Sequence, residues 1–148
     1  MVAGGDARET ALFLSIFNSV PYDNLLRTKF YGANLTKGLL MQSFVLDRRS
    51  LIPFEDELVE MVCKFTHTSQ SVSKFSEQAG FADRPIITEM ERLEMLARID
   101  AIMFSLFGFD KISAESIFET FPIWRAKQVE LFGSFVSRDL ALEAMDAV

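Results

Sequence analysis

The sequence predicts a mainly α fold, a helical bundle-like domain with a short irregular or strand-containing N-terminal part. Three observations carry this. Apolar residues recur at the spacing of one helix face through most of the chain, short polar or Gly/Pro segments separate the stripes, and capping residues precede several of them. The 148 residues suit one domain, and 49% of them are apolar, including fifteen Phe. That is ample material for a packed core and excludes a disordered chain. The same Phe content, with a slightly positive mean hydropathy, implies a large core or an apolar surface that meets a partner.

The elements follow in order. Asp6 and Glu9 form a capping pair that opens a helix, the carboxylate accepting otherwise orphaned backbone N–H groups. Leu12, Phe13, Ile16 and Phe17 make its stripe. Pro21 lacks an N–H and interrupts or kinks the pattern, so a second short helix is placed from Tyr22 to about Phe30, ended by Gly32. The stretch Leu35 to Val45 is the least helical, and Phe44 and Val45 fit a strand. Arg48 to Pro53 reads as a linker or turn, which divides the chain into a front part, 1–50, and a helical tail, 51–148.

Glu55, Asp56 and Glu57 suit the positive end of a helix, whose stripe is Leu58, Met61, Val62 and Phe65. Val72 and Phe75 resume the pattern, and Gly80 stops it. Thr88 and Glu91 form a capping box ahead of a long amphipathic helix through Leu93, Leu96, Ile99, Met103 and Leu106, ending at Gly108. Ser113 is expected to cap a short helix through Ile117 and Phe121. Pro122 opens the next one, where a missing N–H costs nothing, and Gly133 closes it. Ser137 or Asp139 is expected to start the last helix.

No apolar run approaches the roughly eighteen residues of a membrane span. The greasiest stretch, Ala101 to Phe109, is broken by Ser105 and Gly108. No basic region followed by an apolar one marks a signal peptide near Met1, and the single cysteine, Cys63, cannot form an internal disulfide. A cytoplasmic setting and no membrane partner are expected. The net charge of −6 opposes phosphate binding, but it is unevenly spread. From Leu25 to Arg49 five cations stand against Asp47 alone, a net of +4; from Ser50 onward 9 basic residues face 17 acidic ones, a net of −8. The basic front and acidic back fit either a solvated surface or a nucleic-acid face.

Catalytic signatures are missing. Cys63 and His67 share a helical face, but no further Cys or His completes a zinc site. A Walker loop, a dinucleotide-binding Gly-x-Gly-x-x-Gly and a Gly-x-Ser-x-Gly elbow are absent. Glu55 and Glu57 suit helix-start charges better than an acid–base couple. There is no Pro-Pro pair for the Asn/Asp-Pro-Pro-aromatic element that holds a flipped adenine, and no nuclease-type Asp…Glu-x-Lys spacing.

Two blocks nevertheless look familiar. The first contains Asn18-Ser19, Asp23, Leu25-Leu26-Arg27, Lys29, Gly32, Asn34-Leu35 and Gln42. It resembles a segment near the C-terminal end of the target-recognition region of large adenine-specific DNA methyltransferases, including type IIG restriction–modification enzymes and related phage-defence methylases. Those enzymes commonly carry Gly-Gly, and a Gln-Leu-Pro-aliphatic ending; here Tyr31 replaces the first Gly, and Ser43-Phe44-Val45 follows Gln42 without the Pro. The second block holds Arg92, Asp100-Ala101, Leu106-Phe107-Gly108, Ile117, Phe121-Pro122, Lys127, Phe132-Gly133 and Phe135. It is similar to the tail of the same enzymes, with Phe107 and Phe132 standing where tyrosines are usual.

The resemblance implies a DNA-recognition or helical-spacer segment, with S-adenosylmethionine bound only by the complete enzyme and no cofactor in this chain. The implied partners are double-stranded DNA and the remaining methyltransferase polypeptide, or a second copy of the chain. Arg27, Lys29, Lys37, Arg48 and Arg49 are the phosphate-contact candidates, and Asn34 and Gln42 carry amides able to read a base edge. Plainer roles are available: Arg27 stands four residues after Asp23, as in a helical ion pair, and Gln42 can cap backbone. Asp100, Gly108, Phe121 and Gly133 read as structural, respectively a helix charge, two helix stops at the glycines and a core anchor at Phe121. The alternative function is a stand-alone helical protein-interaction module or split subunit with no DNA contact.

Overall fold

The computed structural model describes residues 6–29, 46–66, 70–81 and 86–148. Among them every regular element is helical. The expected strand at Phe44 and Val45 lies outside the described residues.

Helix α1 spans Ala7–Phe17, with the Asp6 carboxylate accepting from the Arg8 N–H at 3.1 Å. Its expected stripe divides. Leu12 and Ile16 are buried together with Ala11 and Ser15, while Phe13 and Phe17 stay 48% and 39% exposed. Their rings stack on each other outside the core, 6.2 Å between centroids. Ser15 tolerates burial because its hydroxyl donates to the Leu12 carbonyl at 2.7 Å. Helix α2, Val20–Lys29, begins around Pro21 rather than being interrupted by it. A proline suits the first turn, where intrahelical donors have no partner.

The expected linker at Arg48–Pro53 is instead helical: α3 spans Arg48–Leu51, and a 3₁₀ turn covers Ile52–Phe54. Asp47 caps α3 through the Arg49 N–H at 3.2 Å, which local spacing alone did not reveal. Helix α4, Glu55–Thr66, carries its three acids in the first turn and buries Leu58, Met61, Val62 and Phe65 as expected. Helix α5 spans Gln70–Gln78, and Gly80 follows it at φ 90°, a left-handed conformation that suits a residue without Cβ.

Helix α6, Glu89–Leu106, starts on the Thr88/Glu91 capping box, with both reciprocal bonds formed. It is the central element. Ile99, Ile102 and Met103 join the core built by α1 and α4, whereas Ala97 and Phe104 join a second, aromatic core. That second core comes from α7 (Lys111–Phe118) and α9 (Val136–Ala144), with Val20 reaching in from α2. Phe118 lies 5.7 Å from both Phe104 and Phe135, centroid to centroid. Between α7 and α9 runs α8, Pro122–Phe132, with Pro122 at its start and Gly133 at its end, as expected.

Two start signals differ from expectation. Asp110, not Ser113, caps α7; its carboxylate accepts from the Ser113 N–H at 2.8 Å, so Ser113 is the capped residue. The last helix begins at Val136, ahead of Ser137 and Asp139. Its local cap position holds Phe135, whose side chain has no acceptor. The Ser137 N–H instead donates to Gln128 Oε1 of α8 at 2.9 Å, and Gln128 Nε2 donates to Ser137 Oγ at 2.7 Å.

Candidate nucleic-acid interface

The basic front is built on α2 and α3, which bracket residues 30–45 in the sequence. Helix α2 is buried only over Val20, Pro21 and Tyr22; from Asp23 to Lys29 it is half-buried or exposed. Arg27 and Lys29 therefore project from its free end, where cations also favour the negative pole of the helix. Arg27 Nε donates to Asp23 Oδ2 at 2.8 Å, the ion pair that the four-residue spacing suggests. Its guanidinium also lies over Phe121, 4.8 Å from the ring centroid.

An open groove of about 390 Å³ lies beside this contact, with Phe17, Asn18, Asp23, Arg27, Phe121 and Trp124 among its walls. Phe121 is half-buried and packs edge-on to Trp124, 6.0 Å away, so it serves both as core anchor and as a platform for Arg27. The groove combines aromatic faces, a cation, a carboxylate and an amide. Such surfaces can stack planar rings or hold charged groups, but they contain no nucleophile–base pair.

Arg48 and Arg49 stand at the start of α3. Arg48 donates to Glu55 Oε2 at 2.5 Å, and Arg8 Nε meets Glu55 Oε1 at 3.0 Å. Arg8 also pairs with Asp56, and its third donor reaches the Ala79 carbonyl at 3.2 Å. The Arg48 and Arg8 hydrogen bonds hold the Glu55 carboxyl below its usual range. Arg49 is exposed. Asn34, Lys37 and Gln42 lie outside the described residues. The structure thus places Arg27 and Lys29 on one helix and Arg48 and Arg49 on another.

The Arg8 network was missed by sequence reasoning because Arg8 and Glu55 are far apart along the chain and neither belongs to a motif. Asp100 was read as a helix charge, and that reading is corrected. It is 5% exposed, and its Oδ1 accepts from the Val20 N–H of α2 at 2.7 Å. Burial pushes its carboxyl up to about 8, against the pull of that hydrogen bond.

Cys63 is buried, and burial raises its thiol pKa. Among the described residues no group of three or more Cys, His, Asp or Glu side chains is arranged to hold a metal ion, and His67 lies outside them. Among the same residues no helix is long and apolar enough to cross a membrane. No protein-family model, curated protein or solved structure matches this chain.

Proposed function

We propose that the chain is a non-catalytic DNA-recognition and scaffold segment of an adenine-specific DNA methyltransferase of a restriction–modification or phage-defence system. The observation that carries this reading is the net +4 stretch from Leu25 to Arg49, which overlaps the Asn18–Val45 block of the resemblance. Its described cations all reach solvent: the side chains of Arg27 and Arg48 are 64% and 46% exposed, and Lys29 and Arg49 are exposed. The Arg27–Asp23 pair does not preclude phosphate contact. Exposed ion pairs contribute only about 0–1 kcal/mol, so a phosphate can compete for Arg27, whereas Arg48 is held by a Glu55 carboxylate that is 20% exposed and shared with Arg8. The acidic back faces solvent or the rest of the enzyme. S-adenosylmethionine and the reacting groups belong to that remaining polypeptide.

Duplex binding followed by fluorescence anisotropy across a salt series tests the proposal. Changing Arg27, Lys29 and Lys37 together to Ala should weaken binding and flatten the log–log salt slope by up to about three. The same treatment of Lys64, Lys74 and Lys127 should have a much smaller effect. A larger effect from the second set would refute the basic-front reading.

A protein-interaction module is the second reading, and α8 favours it. Its only buried residue is Gln128, while Ile123 and Leu131 are 82% and 72% exposed. On this reading, light scattering would show concentration-dependent association, with no salt-sensitive DNA binding.

A further inference from the structure

Helix α8 is attached along one side only. Gln128 is its one buried residue, joined to Ser137 of α9 by two hydrogen bonds. Trp124, one turn earlier, packs edge-on to Phe135 at 5.1 Å and to Phe121 at 6.0 Å, centroid to centroid. The opposite flank meets water. There Ile123 is 82% and Leu131 72% exposed, and Lys127 and Glu130 are exposed between them. These four stand at i, i+4, i+7 and i+8, a spacing that a helix gathers onto one face. A single exposed aliphatic residue is ordinary. Here two share a face and bracket one ion of each sign.

We propose that this face of α8 is the contact of a homodimer, packed antiparallel against α8 of a second copy of this chain. The contact gives the α8 face of the second reading one defined occupant, and it holds whether or not the chain meets DNA.

The order of the charges selects that occupant. In a parallel pair Lys127 would face Lys127, and Glu130 would face Glu130. An antiparallel copy reverses the order, so Lys127 of each chain approaches Glu130 of the other, and symmetry makes the contact twice. The same reversal brings Ile123 of each chain toward Leu131 of the other. The register that aligns the aliphatic residues and the one that aligns the ions differ by three residues, about 4.5 Å along the axis, a gap that a lysine side chain spans. Arg125 and Arg138 do not compete for Glu130, since both pair with Glu119. The 11 residues of α8 make a helix about 16 Å long. Alone it cannot bury the roughly 1,200–2,000 Å² of a standard interface, so the dimer is weak, with a Kd on the order of 100 µM.

Sedimentation velocity of the whole chain from about 5 µM to about 1 mM brackets that Kd and should show monomer passing to dimer. Lys127→Glu and Glu130→Lys each set like charges together in the antiparallel pair, so each alone should weaken self-association by about tenfold or more. An equimolar mixture of the two variants restores both attractions and should form a dimer with one copy of each. Ile123→Asp should abolish the dimer. All three positions are exposed, so far-UV circular dichroism should match wild type. A wild-type chain that stays monomeric to about 1 mM, ten times that Kd, overturns the proposal. So does a dimer that neither charge variant weakens, or a mixture of the variants that stays monomeric. DNA titrations at protein concentrations far below that Kd leave the dimer apart, so the DNA reading and the dimer can each fail alone.

Discussion

Helices α2 and α9 begin without a side-chain cap from their own cap position, and each is completed from another helix. At α9, Gln128 supplies both an acceptor for the Ser137 N–H and a donor for the Ser137 hydroxyl. At α2, Asp100 supplies an acceptor for the Val20 N–H. Both joints are buried, and both satisfy a backbone donor that would be costly to leave alone. They differ in chemistry. The amide is neutral at every pH, so its joint is unconditional. The carboxyl can ionise, and although the Val20 N–H bonds the charged form more strongly, burial then carries a desolvation cost that the amide never meets. A buried cap can thus be permanent or conditional according to one functional group.

The largest effect separating the two joints should appear in the pH dependence of stability. The Asp100 carboxyl sits near 8 in the folded chain and near 3.8 when unfolded, so the unfolded state loses its proton first. Its contribution is full below the unfolded value and is lost as pH rises toward 8. The slope can reach about 1.4 kcal/mol per pH unit. Urea unfolding at a series of pH values should show this decline in wild type and not in Asp100→Asn. The curves should converge near pH 4 and separate toward pH 8; parallel curves would remove the distinction between the joints.

A smaller effect should follow from making the α9 joint conditional. Gln128→Glu replaces the amide with an ionisable group at the same length. Its loss of stability should grow as pH rises above the carboxylate range, but remain less than that caused by ionised Asp100, since the Ser137 N–H and hydroxyl can both donate to the new charge. Unfolding at pH 5 and pH 8 measures this, on either side of most of its titration. A loss equal at both values would mean that the joint tolerates charge.

The smallest effect belongs to a local, exposed cap. Glu91 accepts from the Thr88 N–H at 2.6 Å, and that bond together with the Thr88 side chain holds its carboxyl below the usual range. Thr88→Ala should cost about 1 kcal/mol near neutral pH, as typical N-cap losses do. The contribution of the Glu91 shift should itself vanish as pH falls through its lowered titration, opposite to the trend at Asp100. Thermal unfolding of the variant at neutral and acidic pH checks both size and direction.

These cases also mark what could be read directly along the chain. Thr88 and Glu91 are three residues apart, so their geometry follows from helix pitch. Pro122 and Gly133 declare their helix ends through their own backbone preferences, and Gly133 takes φ 80°. Asp23 and Arg27 are likewise close enough for spacing to suggest their ion pair. The cap of α7 was less legible because Asp110 and Ser113 both favour helix starts, and only the formed turn distinguishes capping from capped residue. The stripe of α1 divided because a helix period identifies a group of apolar residues without saying how wide its neighbour is. Ala11 and Ser15 went inside with Leu12 and Ile16, and the two Phe rings remained at the rim.

The sequence by itself determined the helical class, most helix ends and the uneven charge, because these depend on spacing, backbone conformation and composition. Only the tertiary structure decided that Asp100 is a buried cap, that Gln128 joins two helices, and that Arg8 ties Glu55 and Asp56 together. Each of those roles depends on a partner from another helix. A carboxyl has the same local spacing whether it faces water or an orphaned N–H, and its proton affinity is set by which of the two it meets.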